Sequence, residues 1–215
     1  DQVELSASIC KVDLISDLVG EFPELQGIMG GYYAMEQGFD KEIALAVSEH
    51  YLPTGLDSKT PKKPFSIALA LTDKIDTLVG FFGINQKPTS SKDPYALRRS
   101  ALGVIKLLID NNKEFKIKDL ISYSTSLHRD QGFELLNDSS QKELADFLMD
   151  RLKYYMKEKK IRIDITEASI GSYGIDNLNK IYKKASTLNS LINKEIGEDI
   201  IASYKRASNI LDSEL

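Results

Sequence analysis

His50 and Asp73 are the residues whose types and spacing could do chemistry. His50 stands at the predicted end of a helix, a loop with three prolines follows over 51–64, and Asp73 then lies within an apolar helix predicted over 65–82. Imidazole and carboxylate groups bind divalent metals, which activate water when a coordination position stays open. A carboxylate on a buried helix is costly unless it is paired or bound to a cation. The pair is therefore a candidate metal centre, or, as we favour, a helix-end histidine and a core carboxylate that the protein itself satisfies.

The elements that must position these residues are helices, because apolar residues recur at helical spacing along nearly the whole chain. This predicts an all-α protein. Asp93 and Pro94 are typical of the start of a helix, as Gly38 is of a helix end. The alternation IRIDI favours an extended connection over 161–165, with a short strand as the alternative. The predicted helices are an apolar stripe over 12–19 and segments near 23–35, 40–50, 65–82, 95–111, 117–127, 140–159 and two within 176–215 that break near Gly197.

Composition indicates a folded protein of ordinary character. Hydrophobic residues make up 42% of the 215 residues and charged residues 28%. We find neither a secretory signal nor an apolar stretch near the roughly 18 residues that a membrane helix needs, and we expect a cytoplasmic location and no membrane contact. The single cysteine, Cys10, excludes an internal disulfide, and we expect it to be a small buried apolar residue. The glycines of the QGIMGG stretch fit no dinucleotide or phosphate loop and favour close helix packing.

The net charge of −4 hides a local basic run. Residues 1–115 carry 12 Lys/Arg against 16 Asp/Glu, whereas residues 116–215 carry 16 of each. Six basic residues and one acidic residue fall between Arg151 and Arg162. Such a face can bind phosphate although the chain as a whole is acidic, or it can be an ordinary solvated helix face.

The spacing of His50 and Asp73 resembles the HD superfamily of metal-dependent phosphohydrolases, in which a helical bundle holds metal with His and Asp ligands. Asp73 in LTDKIDTL resembles the distant Asp of that motif, and His50 in EHYLP resembles a histidine near its loop. Glu21 and Phe22 stand where the central His-Asp doublet belongs. The resemblance thus implies an HD-like domain with a vestigial motif of Glu21, His50 and Asp73, without metal and without catalysis.

Longer runs resemble the β subunit of the bacterial two-subunit glycyl-tRNA synthetase over essentially the whole chain. Two later segments, DFLMDRLKYYMKEKKIRIDI and IIASYKRASNIL, agree with it. The most specific runs are EFPELQGIMGGYYA, EHYLP, ALTDKIDTLVGFFGI and PTSSKDPYALRRSALG.

This resemblance implies a section of a hetero-oligomeric enzyme that joins glycine to its tRNA. The α subunit would carry the reaction, with ATP and Mg²⁺, and this section would bind no cofactor of its own. Its partners would be glycine-specific tRNA and the α subunit, and not DNA. We divide the chain, at the turn-forming residues that follow position 136, into an HD-like domain (1–137), a smaller helical segment (138–199) and the opening helix of a truncated anticodon-binding domain (200–215).

Candidate RNA contacts follow from the positions of the basic residues. Arg98 and Arg99 begin a helix beside a loop that carries Lys87 and Lys92, and arginine suits bidentate phosphate contact. At least one of the two arginines could instead pair with an aspartate inside the domain. A second group, Lys153, Lys157 and Lys160, has i, i+4, i+7 spacing and would share a helix face. The remaining candidates are Arg151, Lys205 and Arg206, with Tyr154, Tyr155 and Tyr204 able to stack on bases or to pack in the core.

Three functions therefore compete. The leading hypothesis is a tRNA-binding section of the synthetase subunit. A metal-dependent phosphohydrolase is the second, and it is opposed by the missing doublet. The third is a structural spacer that positions the anticodon domain against the α subunit.

Overall fold

The fold is an assembly of helices that surround one long central helix. The computed structural model describes residues 2–171, 176–192 and 194–214, and within these ranges every regular element is helical. The all-α prediction is therefore confirmed. The α-helices are α1 (Gln2–Ile9), α2 (Asp17–Glu21), α3 (Ile28–Glu36), α4 (Lys41–Glu49), α5 (Pro64–Gly83), α6 (Leu97–Asp110), α7 (Ile117–Asp130), α8 (Asp138–Glu158), α9 (Ile163–Gly171), α10 (Leu178–Leu191) and α11 (Glu195–Glu214), with 3₁₀ turns at Val12–Ile15 and Pro23–Leu25.

The central helix α5 contacts α1, α4, α6, α7 and α8, and α6 in turn contacts α8 and α10. One large buried cluster runs from α5 to α10. A smaller cluster holds α1 and α4 against α5 and contains Cys10, which is buried as expected. Burying these apolar faces is the main favourable contribution to the fold. None of the described helices is long and apolar enough to cross a membrane.

Helix caps agree well with the sequence predictions. The Asp93 carboxylate accepts hydrogen bonds from the amides of Leu97 (2.8 Å) and Arg98 (3.0 Å). Asn137 caps α8 through the amide of Ser140 at 2.9 Å. Gly38 has a φ of +81° and ends α3, as expected for a helix C-cap. Pro94, however, lies in a turn before α6 and not within its first turn.

The apolar stripe predicted over 12–19 is wrong as a single helix that faces the core. Ser16 is extended and separates the 3₁₀ turn from α2. Val19 is buried, whereas Ile15 is 87% exposed, and the side chain of the turn that enters the interior is Asp13. The helix predicted over 23–35 is likewise divided, at Gly27, which has a φ of +81°.

The extended connection predicted over 161–165 is wrong from Ile163, where α9 begins; residues 161 and 162 lie outside the helices. Ile161 and Ile165 are buried, four residues apart, and Ile163 between them is 79% exposed. A strand would have placed all three side chains on one face. The exposure of Ile163 therefore excludes a strand with these three side chains on one face.

Close helix packing explains the glycines of the QGIMGG stretch, as predicted. A Cβ on Gly31 would lie 2.6 Å from the Ser48 Cβ and 2.9 Å from the Ala44 carbonyl oxygen, both on α4. A Cβ on Gly30 would lie 3.0 Å from Val47. These glycines let α3 lie directly against the helix that ends at His50.

Candidate functional site

A lysine ammonium group lies between His50 and Asp73. The Nζ of Lys11 is 2.6 Å from the Asp73 Oδ1 and 3.4 Å from the His50 Nε2. It also lies 4.5 Å from the centre of the Tyr51 ring, where a cation–π interaction attracts it. Asp73 is therefore paired with a cation that the protein itself supplies, which confirms the interpretation that we favoured from the sequence.

The hydrogen bonds of His50 define its protonation state. Its Nδ1 lies 2.6 Å from the Val47 carbonyl oxygen, which can only accept, and its Nε2 faces the Lys11 ammonium, which can only donate. These contacts favour the neutral ring with its proton on Nδ1. Burial lowers the pKa of His50, and the positive charges of Lys11 and Lys74 act in the same direction.

Lys74 is a second, deeply buried amine beside this pair. Its Nζ donates to the carbonyl oxygens of His50 (3.3 Å) and Tyr51 (3.1 Å), which follow the end of α4. Burial lowers its pKa to about 8. Gly103 on α6 makes room for it, because a Cβ there would lie 2.5 Å from the Lys74 Cε. The lysine therefore joins the end of α4 to α5 at a point where α6 has no side chain.

A divalent metal does not fit these residues. His50 and Asp73 both face the Lys11 ammonium, and Glu21 is exposed at the end of α2, outside the cleft that Asp73 lines. In the described ranges no group of three or more His, Cys, Asp or Glu residues could hold a metal. Catalytic zinc sites use three protein ligands and an open position. The residues at this site therefore do not support chemistry through a metal ion.

A cleft of about 640 Å³ opens above the Lys11–Asp73 pair. Three of its lining residues are cationic, namely Lys11, Lys74 and Arg99, and two are acidic, namely Asp73 and Glu24. Glu24 is exposed, in the 3₁₀ turn that follows Phe22. Because Lys11 and Asp73 neutralise each other, the remaining charged groups of the lining are Lys74, Arg99 and Glu24, a formal excess of one positive charge.

Of the four cations near the start of α6, two are paired with described residues and two are not. The amine of Lys87 is paired with Glu143, and the Arg98 guanidinium donates to the Thr89 carbonyl oxygen while lying 3.9 Å from Asp93. Arg98 is therefore held within the protein, which was the alternative that the sequence left open for one of the two arginines. Lys92 and Arg99 are exposed, and their side chains have no partner in the described part of the chain.

The cations of α8 are divided in the same way. Lys153 pairs with Glu167 at 3.0 Å, and the Arg151 guanidinium carbon lies 5.8 Å from the ring centres of Phe147 and Tyr154. Lys157 is exposed, and its side chain has no partner within the described ranges.

The shared face predicted for Lys153, Lys157 and Lys160 is wrong at its last member. The helix ends at Glu158, and Lys160 has a φ of +59° in the turn that follows. The amide of Ile161 donates to the Met156 carbonyl oxygen and closes that turn. Lys160 is still exposed, but it lies beyond the helix face.

The remaining candidates differ in burial. Tyr155 is buried against Tyr182, with 5.6 Å between ring centres, so its interpretation as a core residue is confirmed. Tyr204 on α11 is 73% exposed. Lys205 and Arg206 follow it on the same helix, exposed and without partners among the described residues.

A family model described as glycyl-tRNA synthetase beta subunit matches residues 1–171. The chain belongs to this family. The glycine–tRNA ligase beta subunit of Ruegeria sp. (strain TM1040) is 43% identical over 211 residues, which are 98% of this chain and 29% of that protein. Its counterpart in Rhodospirillum centenum is 40% identical over 214 residues, or 100% of the chain and 29% of the relative. That of Rickettsia canadensis is 40% identical over 210 residues, or 98% and 30%. The chain thus spans less than a third of the length of these relatives.

In this member of the glycyl-tRNA synthetase β family, one buried acid was not predicted from the sequence. Asp13 is fully buried, and its Oδ2 accepts hydrogen bonds from the amides of Gly27 (2.6 Å) and Gly30 (3.2 Å) at the start of α3. A carboxylate at a helix N-terminus is favourable. The sequence did contain a signal for a buried acid, because Asp13 interrupts an apolar run in the same way as Asp73.

Proposed function

We propose that this chain is a non-catalytic, tRNA-contacting section of a glycine–tRNA ligase β subunit. The observation that carries the proposal is similarity along 96–100% of the chain to proteins of that name. The whole enzyme would join glycine to its tRNA in the cytoplasm. ATP and Mg²⁺ would act at the α subunit, which would be the protein partner of this section.

The distribution of charge supports contact with RNA phosphates. The candidate cations that no described residue neutralises are exposed on α6, α8, α11 and the adjacent turns: Lys92, Arg99, Lys157, Lys160, Lys205 and Arg206. Phosphate contacts supply most of the sequence-independent affinity of proteins for nucleic acid. Cations already paired within the protein would have to give up those pairs, so they are the weaker candidates.

The test compares two triple variants of the full-length β subunit in its native assembly. Lys92→Ala/Arg99→Ala/Lys157→Ala removes three cations that have no partner among the described residues, and Lys87→Ala/Arg98→Ala/Lys153→Ala removes three paired ones. We expect the first variant to bind glycine-specific tRNA more weakly than the second. The slope of its affinity against salt should become shallower by roughly 0.7–0.9 for each phosphate that is no longer neutralised.

The comparison requires binding isotherms across a salt series, with an unrelated tRNA as control and circular dichroism to verify folding. Unchanged affinity in the first variant would contradict the proposed interaction. An equal decrease in both variants would mean that overall charge, and not the pairing of each cation, determines binding.

One observation favours a second candidate function, that of a spacer which docks on other parts of the enzyme. A largely apolar groove of about 560 Å³ lies between α3 and α4. Ile28, Tyr32, Met35 and Leu45 line it, and each is more than a third exposed. Exposed apolar patches often mark protein contacts. If the first triple variant bound tRNA normally, this scaffold function would become the better proposal.

A further inference from the structure

We propose that the groove between α3 and α4 holds an amphipathic helix of the same β subunit, from the part of the subunit outside this chain. The docked helix carries a lysine or arginine that pairs with Glu49. It would be the partner for the second candidate function, and its origin rests on the proposed function, in which the chain is a section of a longer β subunit.

Helix α3 packs through its small residues and presents its large apolar residues outward. Its buried residues are Gly30, Gly31 and Ala34. Its exposed apolar residues are Ile28, Tyr32 and Met35, at i, i+4 and i+7 spacing. An amphipathic helix of a folded protein normally buries its large apolar side chains. The stripe on α3 therefore has the spacing by which helices meet, and the described part of the chain leaves it uncovered.

The shape of the groove fits a helix. Its floor is largely backbone, because Gly31 lies so close to Ala44 and Ser48 that no side chain separates α3 from α4 there. Leu45 and Leu52 line the α4 side, opposite the stripe on α3. A channel bounded on both sides by rows of helical side chains accommodates the ridge of a third helix.

Two unpaired charges line the α4 side of the groove. Glu49 has one carboxylate oxygen, Oε2, that is shielded from water and has no hydrogen-bond partner among the described residues. Such a carboxylate is costly unless a cation reaches it. Lys41, at the other end of α4, is exposed and has no partner in the described part of the chain.

The positions of these two charges favour one direction for the docked helix. Lys41 and Glu49 are the first and last residues of α4, about 12 Å apart along the axis of an α-helix. A helix that presents a cation to Glu49 and an acid to Lys41 pairs both charges, whereas the reversed helix pairs neither. Complementary charges fix the register of such contacts.

Charge and chain length favour the same subunit as the source of the helix. Apolar walls and an unpaired carboxylate suit a protein segment and not RNA phosphates, which Glu49 would repel. The chain spans less than a third of the length of its relatives, so most of such a subunit lies outside it. A segment of the same polypeptide binds intramolecularly, at an effective concentration that a separate subunit lacks.

Hydroxyl-radical footprinting of the full-length β subunit in its native assembly tests this placement. Tyr32 is 63% exposed in this chain, so with the groove open it should react nearly as fast in the assembly as in the subunit unfolded by urea. We expect strong protection of Tyr32 and Met35 instead. Glu49→Lys should abolish this protection, because it places two like charges together. Glu42→Lys, on the same helix and outside the groove, is the matched control and should preserve it.

Cross-linking identifies the occupant of the groove. Tyr32 is replaced by the photoreactive p-benzoylphenylalanine, and mass spectrometry finds the peptide to which it is joined. We expect a peptide of the β subunit from outside this chain, with a helical apolar stripe and a lysine or arginine beside it. A mixture of isotope-labelled and unlabelled β subunits separates cross-links within one copy from those between copies.

Three results would overturn the inference: unprotected Tyr32 and Met35 in the wild-type assembly, protection that survives Glu49→Lys, or a cross-link to the α subunit, to tRNA or to a second β copy. None of them decides the tRNA interaction, because Glu49 and Tyr32 are not among the proposed tRNA contacts. The triple variants test that interaction separately, and their failure would leave the footprint of the groove unchanged.

Discussion

Lys11 shows what a single residue can add to a motif. The sequence identified His50 and Asp73 as residues that need an explanation, and the charge of Asp73 required a cation. It could not identify that cation, because Lys11 is 39 positions before His50 and stands in a segment of no recognisable pattern. The packing of α1 and α4 on α5 decides which lysine reaches the half-buried Asp73. Local residue spacing does not indicate how distant segments pack.

Neutral His50 makes stability depend on pH. Its pKa in the folded protein is lowered by burial and by two nearby ammonium groups, so the unfolded chain takes up the proton first as the pH falls. The contribution of His50 to stability is complete above about pH 6.5 and is lost as the pH falls below that value. We expect urea midpoints to decrease between pH 7 and pH 5.

Direct observation of the His50 ring gives the sharper measurement of this prediction. The chain has only two histidines, so a His128→Gln variant leaves one set of ring signals to follow in an NMR titration. The ring of His50 should keep its neutral chemical shifts to a lower pH in the folded protein than in the same chain unfolded by urea. Protonation at the same pH in both states, or at a higher pH in the folded one, would contradict the prediction.

At the scale of elements, local rules predicted the starts and ends of helices better than their faces. Asp93 could be recognised as a cap because a cap depends on residues within one turn of it. The buried face of an element was predicted wrongly where a short run of residues fits both the helical and the strand period. The alternation over 161–165 fits a strand, and it is the exposure of Ile163 between buried Ile161 and Ile165 that excludes a strand. The stripe over 12–19 failed because its helical spacing is interrupted at Ser16.

Contact between α3 and α4 gives a prediction for a glycine. Gly31→Ala would place a methyl group 2.9 Å from the Ala44 carbonyl oxygen, where the backbone cannot move without separating the helices. We expect the free energy of unfolding to decrease by about 1–3 kcal/mol, as for other overpacked sites. Chemical denaturation of the purified chain measures this value.

Gly80 on α5 provides the matched control. A Cβ there meets nothing within 4 Å, so Gly80→Ala should leave stability unchanged or raise it by about 0.5–1 kcal/mol, since alanine loses less backbone entropy in a helix. If both substitutions destabilised the chain equally, close approach of α3 and α4 would not be the reason for Gly31.

At the scale of the whole molecule, the predicted division after residue 137 does not coincide with a division of the core. One buried cluster contains Ile105 and Leu108 of α6 together with Leu148 and Leu152 of α8 and Ile181 of α10. The sequence could suggest a boundary from turn-forming residues, but it could not show which helices pack across it. Whether the two sides are separate domains in function stays a prediction.

Leu148→Ala tests how the two sides are coupled. Leu148 is fully buried in the shared cluster, and a cavity there should decrease stability by about 2–5 kcal/mol. Because the core is continuous, we expect amide exchange to accelerate in α6 as well as in α8. Leu188→Ala, at a position that is 37% exposed, should have a much smaller effect. Acceleration confined to α8, α9 and α10 would indicate two units that unfold independently.

The space that Gly103 leaves for Lys74 couples substitutions at these two positions. A side chain at 103 would displace the Lys74 stem, and with it the ammonium group that holds the carbonyl oxygens at the end of α4. A methyl group at position 103 therefore requires the Lys74 stem to shift or to become shorter. The reason for glycine at position 103 is therefore the Lys74 side chain on α5, since Gly103 does not adopt a positive φ. The effects of substitutions at positions 74 and 103 on stability should consequently be non-additive.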